Sequence, residues 1–445
     1  SGTNVHMIFE AAEEKVSTSA EIQGEQLLVF STKNIDSLKA LAQKYINQWE
    51  EISQNSFTEF AFTLQNGRTH WDTRLSIVAS NFQEAKKGLE AFIADSKDAA
   101  YQVTVEDSGQ KDTAFLFTGQ GAQYHGMCKD LYESEAVFRQ AVDQCALFLD
   151  KVLPTPIKEI IWGEEDTNKI NQTFYTQTSL FVVEYAMAQL WMNRGIQPTA
   201  LVGHSIGEYV ALTISGAMTL NEALKLVVIR GHMMQSLPSD IGAMAAVLSD
   251  EETVKFYTDQ TNGLVNIAAI NTPKAVTISG EKNAVNQLIE ALKEVKIKSI
   301  ALTVSHAFHS QLMDPILAKF EEEVAKIQFK TPQIPVVSNL TGTELFLEDL
   351  TPSYFSKHLR EAVQFVKGVE CLSEEFGVQI FIECGPSPTL IGLARKTLSN
   401  EDKVWVGSAK KDADNQHIQI QALQQIYHTS VKINWSSIYT GLTIH

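Results

Sequence analysis

The chain has 445 residues, 44% of them hydrophobic, which is the composition of a folded protein of two or three units rather than a fibrous or disordered one. Lys and Arg number 36 against 53 Asp and Glu, a net charge of −17, and this argues against broad contact with a nucleic-acid backbone or an anionic membrane. Cys128, Cys145, Cys371 and Cys384 show neither CxxC pairing nor metal-type spacing with His, and no apolar run approaches the roughly 18 residues of a membrane span. Reduced, mostly buried thiols, no metal and a cytoplasmic location are expected.

An apolar, strand-like piece, Val5 to Phe9, comes first, and a polar stretch from Glu13 to Gly24 follows. A small α/β pattern then runs to about Val105. It has strands over Gln26 to Phe30 and Leu75 to Ala79, and helices over Ile35 to Gln48, Phe57 to Leu64 and Phe82 to Ile93. This unit holds no candidate catalytic cluster. After a second polar stretch, Glu106 to Asp112, the strand Thr113 to Phe117 runs into Thr118-Gly-Gln-Gly-Ala-Gln123. Another, Ala200 to Val202, runs into Gly203-His-Ser-Ile-Gly207 and a helical pattern. Short apolar strands alternating with helices predict a mostly parallel sheet covered on both faces, with α/β hydrolase-like character. From about 242 to 305 the order becomes β-α-β-β-α-β, the split ferredoxin-like unit, inserted into the larger domain. The tail from about Ala409 contains one helical stretch and Asn434-Trp-Ser-Ser-Ile-Tyr439.

Gly203-His-Ser-Ile-Gly207 matches G-x-S-x-G in the strand-turn-helix context that this motif requires. Ser205 is therefore the candidate nucleophile, with the N–H of Ile206 aimed at the space above it. The alternative is a glycine-bounded turn with an inert serine. A serine hydroxyl needs a base. His204 is adjacent, but neighbours on a turn point apart. His306 and His309 follow the last strand of the inserted unit, and their pairing in an apolar context marks a cleft; the bland reading is that one or both are satisfied core histidines. No Asp or Glu stands out as a third member, so a backbone carbonyl can orient the base. The glycine-flanked Gln120 fits neither a Walker loop nor G-x-G-x-x-G. It can present a second oxyanion N–H, though a simple turn explains it as well. On the helix expected from Asn221 to Leu237, Arg230 shares an apolar face with Ala223, Leu226, Met233 and Met234. A buried Arg needs an anion. That anion is an internal carboxylate or the carboxylate of a substrate, and the helix alone favours the internal pair.

Phe117-Thr-Gly-Gln-Gly-Ala-Gln123, Gly203-His-Ser-Ile-Gly-Glu-Tyr209, Arg230-Gly231, Gly242-Ala-Met-Ala-Ala-Val247, Asn271-Thr-Pro273, His306-Ala-Phe-His309 and Glu383-Cys-Gly-Pro386 occur in that order. Together they resemble the malonyl-CoA:acyl carrier protein transacylase family, in the form found inside modular type I polyketide synthases, over essentially the whole chain. Gly2-Thr-Asn-Val-His6 resembles the end of a ketosynthase. The resemblance divides the chain into a ketosynthase tail (1–16), a ketosynthase-to-acyltransferase linker domain (17–108), an acyltransferase domain (109–408) and a post-acyltransferase linker (409–445), as in a fragment of a megasynthase, expected to be a monomer.

By the same resemblance Ser205 is the nucleophile, His309 the base, Gln120 and Ile206 the oxyanion donors, and Arg230 the partner of a malonyl carboxylate, which reverses the preference for an internal pair. His204, His306, Phe308 and Gln177 line the substrate site. The substrates implied are malonyl-CoA and the phosphopantetheine thiol of an acyl carrier protein, with no bound cofactor; the partners are that carrier protein and the ketosynthase. His-Ala-Phe-His, Ile206 after the serine, and Tyr175-Thr-Gln177 resemble the malonyl type. Bulky Phe308 leaves less room at the α-carbon for a methyl group than a serine would, a discrimination worth only about 1–3 kcal/mol, so methylmalonyl or another extender is the alternative. A G-x-S-x-G thioesterase or esterase is the enzymatic rival, weakened by the missing acid-then-His order and by the Arg. A non-catalytic docking unit is the other rival, weakened by the presence of both Ser and His.

Overall fold

The computed structural model describes residues 7, 21–96, 101–105, 109, 111–164, 167–304, 306–399 and 402–440. The strand expected over Val5 to Phe9 and the Gly2-Thr-Asn-Val-His6 segment lie outside the described residues but for Met7, as do most of the two polar stretches. The chain forms two compact units, Ser1–Asp107 with Trp435–His445, and Ser108–Asn434.

In the smaller unit the strands Gln26–Thr32, Thr73–Ala79 and Tyr101–Thr104 form an antiparallel sheet in that order. Helices Ile35–Asn47, Phe57–Asn66 and Phe82–Ile93 begin where the side chains of Asn34, Ser56 and Asn81 each accept a hydrogen bond from the N–H three residues on. The third strand is not announced by the sequence: Gln102 and Val103 are both exposed, so this edge strand lacks the alternation of a half-buried one. The single turn Trp435–Tyr439 completes this unit, with Tyr439 Oη donating to Gln65 Oε1 at 2.7 Å.

The larger unit is built on a five-stranded parallel sheet. Its strands, in spatial order, are Val336–Val337, Ala200–Gly203, Asp112–Phe117, Val378–Glu383 and Val404–Gly407. Helices cover it, so the strands read as unbroken apolar runs such as Ala114-Phe-Leu-Phe117 and Ile380-Phe-Ile382, all fully buried. Helix Thr173–Asn193 is buried on nearly every face, which is why its sequence shows no amphipathic stripe. Helix Asn415–Tyr427, from the tail, belongs to this unit: the N–H of Asn415 donates to Asp130 Oδ2 at 2.7 Å.

Between Gly242 and Ala301 the chain forms the second subdomain. Strand Gly242–Val247, helix Glu251–Asp259, strands Val265–Thr272 and Ala275–Glu281, helix Lys282–Glu294 and strand Ser299–Ala301 follow in sequence. The four strands make an antiparallel sheet in which the first and third lie side by side at the centre, the ferredoxin-like arrangement. Its core is Ala245, Val247, Val254, Ile278, Val285 and Leu292.

Candidate active site

Four chain segments leave the carboxyl ends of neighbouring parallel strands, the edge where α/β sheets bind their ligands. Thr118 to Gln120 follows Asp112–Phe117, His204-Ser205 follows Ala200–Gly203, Ser338-Asn339 follows Val336–Val337, and Cys384-Gly385 follows Val378–Glu383.

Ser205 sits at the sharp turn between strand Ala200–Gly203 and helix Gly207–Ile214, with φ of 53°, in the left-handed region that a side-chain-bearing residue seldom adopts. A Cβ at Gly203 would run into the backbone of Gly207 and Glu208, and one at Gly207 into the carbonyl of Phe117. The two glycines are therefore set by close backbone approach, as the motif requires.

His309, from the inserted subdomain's exit, places Nε2 3.0 Å from Ser205 Oγ. Its Nδ1 lies 2.8 Å from the carbonyl oxygen of Glu361. A carbonyl only accepts, so Nδ1 carries the proton, and Nε2 presents its lone pair to the serine hydroxyl. The imidazole is oriented by a backbone carbonyl rather than by a carboxylate. Burial, then the nearby charge of Arg230, pushes the His309 pKa down to about 3, so the imidazole is neutral.

Helix Leu220–Gln235, started by a capping box between Thr219 and Glu222, carries Arg230 into the interior, 1% exposed. The internal ion pair that the helix alone favours is not made among the described residues. Nη1 instead donates to Gln177 Oε1 at 2.5 Å, Nη2 donates to Ser205 Oγ at 3.0 Å, and the guanidinium lies 5.4 Å from the centre of the Tyr209 ring. Arg has only donors to offer, which fixes the Gln177 amide with its oxygen toward Arg230 and its nitrogen toward Gln120 Oε1, 3.2 Å away. Among the described residues, the N–H groups of Gln120 and Ile206 have no intramolecular acceptor.

Of the remaining candidates His306 and Phe308 are buried and His204 is half-buried, and each has its contacts elsewhere. His204 Nε2 donates to Asn271 Oδ1 at 2.9 Å, and Asn271 Nδ2 in turn donates to Thr277 Oγ1 at 3.0 Å. His306 Nε2 donates to the carbonyl of Leu237 at 2.8 Å. The Phe308 ring, 7% exposed, lies 6.0 Å from that of His306. Among the described residues no group of three or more His, Cys, Asp or Glu is arranged to hold a metal ion, and no helix is long and apolar enough to cross a membrane. All four cysteines are buried and unpaired.

A family model described as the acyl transferase domain matches residues 114–432, and another, described as CurL-like, PKS C-terminal, matches residues 26–89. The chain belongs to the acyl transferase domains of modular type I polyketide synthases. The phenolphthiocerol synthesis polyketide synthase type I Pks15/1 of Mycobacterium marinum is 36% identical over 451 residues, covering 99% of this chain. The chain spans 21% of that relative's length. The solved acyl transferase domain of ZmaA superposes with a TM-score of 0.87 at 30% identity, over 96% of this chain and 99% of that one. The malonyl CoA-acyl carrier protein transacylase of Coxiella burnetii superposes with a TM-score of 0.64 at 27% identity, over 71% of this chain and 98% of its own.

In this acyl transferase domain the sequence left several site groups unmarked. The Glu361 carbonyl is backbone, and no side-chain pattern announces it. Asn339 and Glu208 hydrogen-bond behind the turn that carries Ser205. Glu208 had a readable signal, being a carboxylate in the first turn of a helix whose residues from Gly207 to Leu212 are all buried.

Proposed function

We propose that this domain loads an extender acyl group, malonyl, from CoA onto the phosphopantetheine thiol of an acyl carrier protein through an ester on Ser205. The observation that carries the reading is the Ser205 hydroxyl held between His309 Nε2 and Arg230 Nη2, each 3.0 Å away. His309 takes the hydroxyl proton as Oγ bonds to the thioester carbon. Gln120 and Ile206 donate their N–H groups to the oxyanion of the tetrahedral intermediate. The carbon–sulfur bond breaks, His309 returns the proton to the departing CoA thiolate, and malonyl-serine remains. The carrier thiol then attacks, giving its proton to His309, and the Ser205 oxygen leaves and recovers it. The substrate carboxylate replaces Ser205 Oγ as the acceptor for Arg230, a charge-assisted pair in a buried setting. Gln177 braces the guanidinium. The ketosynthase and carrier protein of the same synthase are the working partners, and the domain itself supplies no cofactor.

Intact mass after brief exposure to competing malonyl-, methylmalonyl- and acetyl-CoA tests the reading. A malonyl adduct in excess is expected; a dominant methylmalonyl adduct would reassign the extender, and no adduct from any donor would overturn acyl transfer.

The reading gives Phe308, next to His309 in the chain and bulkier than a serine, the role of crowding an α-methyl group. Phe308→Ser is expected to raise the methylmalonyl-to-malonyl loading ratio about tenfold, within what one methyl group can decide. An unchanged ratio removes Phe308 from specificity.

The depressed His309 pKa predicts the acid limb of kcat/KM. The neutral imidazole is the working form, and it persists down to about pH 3, so activity is lost only as pH falls through that value. Single-turnover acylation should be flat from about pH 5 to 8, and Arg230→Ala should move the limb upward, because the guanidinium is the second cause of the depression. Half-loss near pH 6.5 in the native protein would contradict this.

A further inference from the structure

Behind the nucleophile turn lies a buried polar chain that the acyl-transfer steps do not use. The N–H of Ser205 donates to Asn339 Oδ1 at 2.6 Å. Asn339 Nδ2 donates to Glu208 Oε2 at 2.9 Å, and the Asn339 N–H donates to the same oxygen at 2.6 Å. The other carboxyl oxygen, Oε1, pairs with Tyr354 Oη at 2.6 Å, and Tyr354 reaches Ser338 Oγ at 2.7 Å. His358 Nε2 lies 3.5 Å from Oε1, and the charge of Arg230 also acts on the carboxyl. Glu208 is fully buried and Asn339 is 2% exposed.

An amide can be placed either way round, and Glu208 decides which. Oε2 receives two N–H donors, so it acts as an acceptor, and Asn339 must turn its nitrogen toward it. That leaves Oδ1 facing Ser205. Protonation of Glu208 does not reverse this: the proton goes to Oε1, where the Tyr354 hydroxyl can turn and donate to Ser338. Asn339 therefore ties the strained backbone of Ser205 to the end of the neighbouring strand, Val336–Val337. It also occupies the serine's own N–H, so the first N–H this turn leaves open is that of Ile206.

We propose that Asn339, oriented by Glu208, is a positioning residue for the nucleophile: its amide oxygen holds the Ser205 backbone in the left-handed conformation that points Oγ at His309 and leaves the Ile206 N–H as the turn's donor to the acyl oxygen. This rests on the acyl-serine reading above.

The test is the rate of malonyl-Ser205 formation from malonyl-CoA, by rapid quench and intact mass, for the native protein, Asn339→Ala and Asn339→Asp. Thermal unfolding is followed in the same buffers. Asn339→Ala is expected to slow acylation about 100-fold at saturating malonyl-CoA, the cost of a misplaced reacting group, with half-saturation moved less than about threefold. Asn339→Asp is the sharper arm. At pH 8.5 two carboxylates would face each other, and acylation should be as slow as in the Ala variant. At pH 5.5 the pair shares a proton. The introduced carboxyl group can then accept from the Ser205 N–H while the shared proton bridges to Glu208, and the rate should recover at least about tenfold, while native His309 stays neutral and native acylation changes little.

A merely structural role predicts loss in proportion to unfolded protein and no recovery at low pH. Native-like acylation by Asn339→Ala, or a folded Asn339→Asp with a flat pH profile, overturns the inference and leaves the acyl-serine reading standing. If the Ala variant fails to fold, the Asp variant alone decides. No adduct on the native protein overturns both.

Discussion

Ser205→Ala is expected to abolish the acyl adduct and reduce carrier loading to background, the largest single effect in the domain. No cysteine is placed to take over as the acyl carrier. The hydroxyl is the group held at 3.0 Å from His309 Nε2, and all four cysteine thiols are buried, with the Cys128, Cys145 and Cys384 thiols pushed well above their usual pKa and Cys371 up to about 12 by burial. Removing Oγ also removes an acceptor for Arg230 Nη2 without opening a large cavity, so folding should survive. Intact mass with malonyl-CoA, beside a thermal melt, separates lost chemistry from lost fold. A malonyl adduct of undiminished yield on the Ala variant would show that another residue carries the acyl group.

Arg230→Ala is expected to invert substrate preference. In the native protein the guanidinium is buried, hydrogen-bonded to the Gln177 amide oxygen and the Ser205 hydroxyl and set against the face of Tyr209, and Glu208 acts on it by charge without an ion pair among the described residues. On the proposed reading the malonyl carboxylate is the acceptor that pairs with this guanidinium. Truncating one partner of a buried charge pair costs about 2–5 kcal/mol, so malonyl loading should fall on the order of 100-fold. Acetyl-CoA has no carboxylate to leave unpaired, and its loading should be spared or rise. Competition between the two donors, read as the ratio of adduct masses, checks this. Equal loss on both would mean that Arg230 supports the site without reading the substrate.

Much of this was legible from the chain itself, because the signals are local. The turn around Ser205 needs glycines at 203 and 207 wherever it occurs, and the strand before and helix after are written in short-range periodicity. The ferredoxin-like order of elements from Gly242 to Ala301 is likewise a matter of sequence rhythm. The edge strand Tyr101–Thr104 was not legible, since its identity lies in pairing with Thr73–Ala79 and not in its own polar residues.

The partner of Arg230 could not be read from one helix. Periodicity buries the residue, but which groups meet it depends on Gln177 and Ser205, 53 and 25 residues away. The orienter of His309 is a peptide carbonyl 52 residues on, and a carbonyl belongs to every residue alike, so no side-chain pattern could mark it. Asn339 reaches Ser205 across 134 residues because parallel strands set their carboxyl ends side by side. Residue type and near-neighbour sterics were enough to set the chemical groups and the local turn that exposes the serine. The tautomer of His309, the hydrogen-bond partners of Arg230 and the clamp behind Ser205 came only with the folded chain, since each depends on hydrogen bonds between segments far apart in sequence.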